Sequence, residues 1–275
     1  MINTKEINKK RYKVLEVAEE VEHIVKWIKE YFSDGNIIHK AILGISGGKD
    51  STIAAALLVR ALGAENVIGV LMPNGTQSDI NDSYRVCEAL GIKSIEINIA
   101  PAVYAVYDCI GRGDCEISQI FTNTPARIRM VTLYNIAAIY NGRVVNTSNR
   151  SESYVGYCTK YGDLAGDLAI LRNYTVREVL AIGDYLKEIP TDLIHKVPSD
   201  GMCGKSDEDN LGITYAEIDE YLLENRAPEN ITALMNIKNR HSRNLHKNQI
   251  CLPAPFCRTS HWEDEEWHEK GAFEF

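Results

Sequence analysis

The sequence predicts an open parallel α/β sheet with helices on both faces, and three observations carry that prediction. Short apolar runs of strand length alternate with amphipathic runs of helical period as far as Thr147. Glycines close several of the helical runs, at Gly63, Gly91 and Gly142. The first core strand also runs straight into a turn of small residues, Ser46-Gly47-Gly48, at the strand end where such sheets bind ligands.

Residues from about 5 to 32 read as one long amphipathic helix, because Val14, Val17, Val21, Ile24 and Ile28 recur at steps of three and four. Gly35 ends it, and the apolar run 37–45 is the first strand. A helix over 49–62, a strand over 67–71, a helix over 79–90 and a strand over 94–99 follow. Pro125 near its start and Gly142 past its end frame a strong helix over 125–140, and 143–147 is the last strand. Beyond it the pattern changes. A Gly- and Tyr-rich stretch, 151–166, leads to two helices opened by capping boxes, Thr175-x-x-Glu178 and Thr214-x-x-Glu217. The polar segment 198–212 between them reads as a mobile loop. A last helix over 229–247 precedes a tail that holds Trp262 and Trp267 among acidic residues. The expected organisation is an N-terminal helix (1–35), one α/β domain with helical additions (36–250) and a tail (251–275).

Composition narrows the function. Of 275 residues 45% are apolar and 25% charged, and 30 Lys+Arg stand against 38 Asp+Glu for a formal charge of −8. That balance argues against nucleic acid as the main partner. No apolar run reaches the roughly 18 residues of a membrane span, and the polar N-terminus lacks a signal-peptide core, so the expected location is cytoplasmic. Seven scattered cysteines without a Cys-x-x-Cys pair suggest reduced thiols rather than a disulfide framework or zinc site.

Gly44-Ile45-Ser46-Gly47-Gly48-Lys49-Asp50-Ser51 is the most informative segment. Gly44-x-Ser46-x-Gly48 matches a nucleophile elbow, with Asp192 and His195 as candidate partners, but only one strand precedes it. A phosphate cradle accounts for more. Consecutive small residues expose backbone N–H groups, and the helix N-terminus adds partial positive charge. The loop is not a Walker A motif, since Leu43 and Asp50 stand where that motif needs Gly and Ser/Thr. Asp50 in the first helical turn suits a magnesium ion held against phosphate oxygens.

Ser46-Gly47-Gly48-Lys49-Asp50-Ser51 resembles the loop of the N-type ATP pyrophosphatases, which cleave ATP between the α- and β-phosphates. Further motifs select one family. They are Thr124-Pro125-Ala126-Arg127-Ile128-Arg129-Met130, Asn146-Thr147-Ser148-Asn149-Arg150-Ser151-Glu152, Gly156-Tyr157-Cys158-Thr159-Lys160-Tyr161-Gly162-Asp163, and Asp167. Pro198-Ser199-Asp200, Ser206-Asp207-Glu208 and Leu245-His246-Lys247 complete the set. In this order they resemble the NAD synthetases, from about Ile42 to Lys247.

The resemblance implies that Gly44, Ile45, Ser46, Gly47, Gly48, Lys49, Asp50 and Ser51 hold ATP, with Thr147 and Ser199 also near it. It implies Asp50 and Glu152 as the catalytic pair of magnesium ligands. It places Arg127, Lys160, Asp167, His246 and Lys247 on the dinucleotide substrate, nicotinic acid adenine dinucleotide (deamido-NAD). Taken singly, Arg127 and Arg129 read as a solvated helix face and His246 as a surface or packed histidine. Val176 stands where the family usually has a lysine for the ATP phosphates, and Ile170 where a proline is common; Arg172 and Arg177 are the nearby cations. The implied activity is ATP-dependent amidation with free ammonia, by a homodimer whose interface includes the 125–140 helix. A tRNA-thiolating pyrophosphatase with a catalytic cysteine and a nucleotide sensor without turnover are the rival readings.

Overall fold

The computed structural model describes residues 16–35, 37–111, 118–196, 206–224 and 226–248. Five strands form one parallel sheet. They are β3 (Lys40–Gly44), β4 (Val67–Leu71), β5 (Lys93–Glu96), β6 (Gly142–Asn146) and β7 (Leu168–Ala169), in the order β5-β4-β3-β6-β7. The chain winds outward from β3 in one direction to β5, then returns to pair β6 on the other side of β3. The crevice beyond the carboxyl ends of β3 and β6 is therefore the topological switch point, where open α/β sheets bind ligands.

Alternation along the strands sends side chains to two layers. Ala41, Leu43, Val67, Leu71 and Val145 face one core, with α1 (Val17–Phe32), α2 (Lys49–Leu62), α3 (Ile80–Leu90) and α7 (Val176–Tyr185). Ile42, Ile68, Val70 and Val144 face the other, against α4 (Ala100–Cys109) and α5 (Ser118–Tyr140). Residues flanked by helices on both sides need to be apolar throughout, and all five residues of β4 are buried. A third apolar cluster joins α6 (Arg150–Val155), α9 (Asp207–Leu211), α10 (Tyr215–Glu224) and α11 (Ile231–Asn248) beside the switch point. Of the described helices, none is long and apolar enough to cross a membrane.

Several elements differ from the sequence expectation. The run 37–45 is split: β1 (Ser33–Asp34) and β2 (Ile37–Ile38) make a small antiparallel hairpin, and only Lys40–Gly44 enters the sheet. His39 marks the break, its N–H donating to Phe32 O at 3.0 Å. The helix expected from Pro125 begins at Ser118, with Pro125 inside it. Proline forfeits one helical hydrogen bond, and tertiary contacts hold the turns before it. Thr159 Oγ1 donates to Asn123 Oδ1 at 2.9 Å, and Tyr107 packs edge-on against Phe121. Helices α4, α6 and α8 (Thr191–Ile194) and strand β7 were not foreseen. In the expected loop 198–212, residues 207–211 instead form α9 behind a Ser206 capping box. Both expected capping boxes form, at Thr175 and at Thr214. Residues 5–15 of the first helix, the segment 197–205 and the tail lie outside the described residues.

Candidate functional site

The loop after β3 is folded onto the start of α2 by its own hydroxyls. Ser46 Oγ lies 3.0 Å from Ser51 Oγ and accepts the Gly48 N–H at 3.2 Å, while Thr52 Oγ1 donates to Gly48 O at 2.7 Å. Gly47 adopts φ +74°, and a Cβ there would lie 2.8 Å from Asp82 Cβ, so both the conformation and the space require glycine. The N-cap residue of α2 is Gly48, and among the described residues no side chain caps this N-terminus, which leaves its first N–H groups for an anion. The elbow reading fails on geometry. His195 pairs with Asp184 at 2.8 Å and Asp192 with Arg85 at 2.8 Å, so neither attends Ser46.

The two expected carboxylates arrive from adjacent strands. Asp50 sits in the first turn of α2, after β3, and Glu152 in the first turn of α6, after β6. Asn149, fully buried, ties them together. Its Oδ1 accepts the Glu152 N–H at 3.0 Å, its own N–H donates to Glu152 Oε2 at 3.3 Å, and its Nδ2 donates to Asp50 Oδ1 at 3.1 Å. A capping box has thus become a bridge between the carboxylates. Burial, then the Asp50 charge, pushes the Glu152 carboxyl up to about 8, against the opposing pull of Lys49. A carboxylate so placed favours a cation. No cage of three or more acidic, His or Cys side chains exists among the described residues. Two hard oxygen donors beside a triphosphate do fit magnesium, which keeps several waters and needs few protein ligands.

Asp50 and Glu152 line a cleft of about 260 Å³ with Ser46, Gly48, Lys49, Ser51, Thr147 and Ser148. Tyr157, Asp163, Asp207, Asp79 and Lys196 complete the wall. Asn146 fixes its rim, donating through Nδ2 to Asp163 O at 2.6 Å and Ala165 O at 2.9 Å. Lys196 is held by Asp79 at 2.7 Å and Asp82 at 2.8 Å. Sequence reasoning passed over Asp79, Lys196 and the bridging role of Asn149. The only signal for Asn149 was its place three residues before Glu152.

Arg127, Lys160, His246 and Lys247 form a second cluster, in which cations hold backbone carbonyls. Arg127 Nε donates to Lys160 O at 3.2 Å, Lys160 Nζ to His246 O at 2.7 Å, and Lys247 Nζ to Gly156 O at 2.8 Å and Cys158 O at 2.9 Å. Asp167 is not among the residues lining the cleft. Its carboxylate accepts the Val144 N–H at 2.6 Å and its backbone carbonyl accepts from Tyr31 Oη, which fastens the edge strand. Ser199 lies outside the described residues. Val176 is buried in the third apolar cluster with Tyr215, Ile170 is buried in the first, and Arg177 spends its head group on Glu224 at 3.0 Å. Cys87, Cys109 and Cys158 are free thiols; burial pushes Cys87 up to about 11 and Cys158 up to about 12, so neither supplies a thiolate at neutral pH.

Comparison with known proteins identifies the family. The NAD synthase family model matches residues 20–250. The NH(3)-dependent NAD(+) synthetase of Thermococcus sibiricus is 39% identical over 229 residues, 81% of this chain and 88% of that protein. That of Methanocaldococcus jannaschii is 37% identical over 253 residues, 83% of this chain and 95% of that protein. Among solved structures, the NMN synthetase of Francisella tularensis superposes with TM-score 0.79 at 33% identity, covering 88% of this chain and all of that one. The NH3-dependent NAD synthetase of Campylobacter jejuni gives 0.69 at 28%, with the same coverage.

Proposed function

The chain belongs to the NAD synthase family and amidates deamido-NAD to NAD with ammonia and ATP, and we propose that the cleft at the β3/β6 switch point is where it does so. The observation that carries this placement is the Asn149 bridge. It presents two carboxylates from neighbouring strand ends beside an uncapped helix N-terminus.

The chemistry follows from the substrate. A carboxylate is a poor electrophile because oxide would have to leave. The nicotinate oxygen therefore attacks the α-phosphorus of ATP, the α–β phosphoanhydride breaks, and pyrophosphate departs. Ammonia then adds to the acyl carbon, its proton is lost, and AMP leaves. No covalent enzyme intermediate is needed; the protein positions the reactants and offsets charge. The Ser46–Ser51 loop and the α2 N-terminus receive the phosphates, with Thr147 at the next strand end and Ser199 beyond the described segment. Asp50 and Glu152 would hold one Mg²⁺, which when bound offsets the charge that develops on the phosphate oxygens. Arg127, Lys160, His246 and Lys247 face the substrate dinucleotide, with Asp167 supporting from the edge strand.

The chain acts in the cytoplasm as a homodimer on this reading. Val131, Tyr134 and Ile139 on α5, with Tyr104 on α4 and Ile110 just past its end, leave large apolar side chains exposed for a second copy. Light scattering at micromolar concentration is expected to give twice the chain mass.

Incubation with ATP, Mg²⁺, ammonium and deamido-NAD is expected to yield NAD, AMP and pyrophosphate; ADP and phosphate would refute the pyrophosphatase mechanism. The likeness to the Francisella protein makes nicotinic acid mononucleotide the competitor to offer in parallel. Comparison of kcat/KM for the two acids assigns the preferred one. Glutamine in place of ammonium is expected to give no NAD.

A further inference from the structure

Lys49 occupies a position that helix chemistry disfavours. It is the first residue of α2, where the macrodipole is positive and acidic residues are preferred. A lysine there would ordinarily extend into water. Instead the side chain turns inward and is 5% exposed, with Nζ 2.7 Å from Asp50 Oδ2 and 5.5 Å from the centre of the Tyr215 ring. Burying an ammonium is costly unless it is well paired. Among the described residues Asp50, its chain neighbour, is the hydrogen-bond partner of Nζ, and the Tyr215 ring is the contact it makes across the fold.

The surrounding charges explain the position. Among the described residues lining the cleft, Asp50, Asp79, Glu152, Asp163 and Asp207 face two cations, Lys49 and Lys196. Lys196 is engaged by Asp79 and Asp82. Lys49 is thus left to balance Asp50, Glu152 and Asp207. From α7, Val176 brings only apolar surface to this region, packed with the same Tyr215.

We propose that Lys49 is the resident counter-ion of the Asp50–Glu152 pair: it neutralises the carboxylates while no metal is bound, competes with the metal for Asp50, and on displacement serves the phosphates of ATP. This rests on the assignment of Asp50 and Glu152 as metal ligands. One lysine then performs two tasks in sequence. It offsets the Asp50 charge while the metal is absent, and it adds positive charge to the phosphate loop once the metal has taken Asp50.

The test is Mn²⁺ binding to the nucleotide-free protein, followed by the electron paramagnetic resonance signal of the free ion. Wild type is compared with Lys49→Met, Lys49→Gln, Lys49→Arg and Asp50→Asn. Removal of a competing cation at 2.7 Å is expected to tighten Mn²⁺ binding at least about tenfold in both neutral variants. Lys49→Arg, which keeps the charge, should stay near wild type. Steady-state kinetics at saturating Mg²⁺ should show the opposite sign, an ATP KM about tenfold higher in the neutral variants. Lys49→Gln keeps a polar head for Asp50 should Lys49→Met fold poorly, and far-UV circular dichroism checks both. Mn²⁺ affinity unchanged or weakened in the neutral variants, while Asp50→Asn abolishes binding, would overturn the counter-ion role alone. Binding unaffected by Asp50→Asn would overturn the metal assignment, and the counter-ion role with it.

Discussion

The two functional regions solve the problem of holding charge in different ways. Around Asp50 and Glu152, charge meets charge or a capped helix end, and every group sits within a few residues of a parallel strand. Around Arg127, Lys160 and Lys247, cations are spent on backbone carbonyls of other segments, so that α5, the 156–163 turn and the end of α11 are bound to one another. The first region is pre-formed by the sheet. The second is assembled from three distant pieces by the cations proposed to face the substrate. Substitutions in the first should therefore remove chemistry and spare stability, whereas those in the second should weaken substrate binding and stability together.

The sharpest contrast comes from the carboxylates. Asp50→Asn or Glu152→Gln is expected to lower kcat about 10²-fold or more, through loss of charge stabilisation at the phosphates. The KM for deamido-NAD should stay nearly unchanged and the melting temperature close to wild type. A variant that kept wild-type turnover at limiting Mg²⁺ would remove that residue from the metal site. Arg127→Ala and Lys160→Ala should do the converse. Their expected signature is a deamido-NAD KM about tenfold higher with the ATP KM little changed, as loss of binding without loss of chemistry requires. If the ATP KM rose equally, the two regions would not be separable.

This division also explains what could be read from the sequence. The Ser46–Ser51 loop was legible because its chemistry is contiguous: glycine where φ is positive, hydroxyls that fold back on the same turn, and a carboxylate in the next helical turn. Glu152 was legible through its motif. Lys196 and Asp79 were not, since their pairing joins residues 117 apart in the chain. Asn149 was visible as a letter, but its hold on Asp50 exists only once β3 and β6 are neighbours. Asp167 came from the resemblance as a substrate contact, while its carboxylate lies on Val144 N–H, a pairing that depends on an unforeseen edge strand of two residues. Pro125 misled for a related reason. Local preference places proline at a helix start, but contacts from Tyr107 and Thr159 carry the helix back to Ser118.

A smaller effect separates binding from assembly in the second region. Lys247→Met removes two hydrogen bonds to carbonyls, at Gly156 and Cys158, and should destabilise the fold by about 1–3 kcal/mol. Urea unfolding of the ligand-free protein reads this directly. Unchanged stability would mean that Lys247 serves substrate alone, and the contrast between the regions would fail on its second limb.

The smallest effect concerns the Lys196 clamp, where the first region meets α3. Lys196 and its two carboxylates are each between a quarter and a third exposed, so solvent screening limits the clamp to about 1 kcal/mol or less. Burial is the largest influence on Asp79 and raises its pKa, but the hydrogen bonds from Lys196 and Gln77 and the Lys196 charge together outweigh it. At Asp82 the hydrogen bond from Lys196 is the largest influence, and both carboxyls titrate below the ordinary 3.8. Burial lowers Lys196, and the two aspartates more than restore it, so the ammonium titrates above 10.5. The signs follow by linkage. Depressed carboxyls contribute stability that is present above 3.8 and lost as pH falls through their lower folded values. A raised ammonium contributes stability that is present below 10.5 and lost as pH rises through its folded value. The stability difference between wild type and Lys196→Met should therefore be flat from mildly acidic to mildly alkaline pH and shrink at both extremes. Chemical unfolding across that range measures it. A difference that instead changed through neutral pH would mean that the clamp is coupled to the Glu152 carboxyl rather than independent of it.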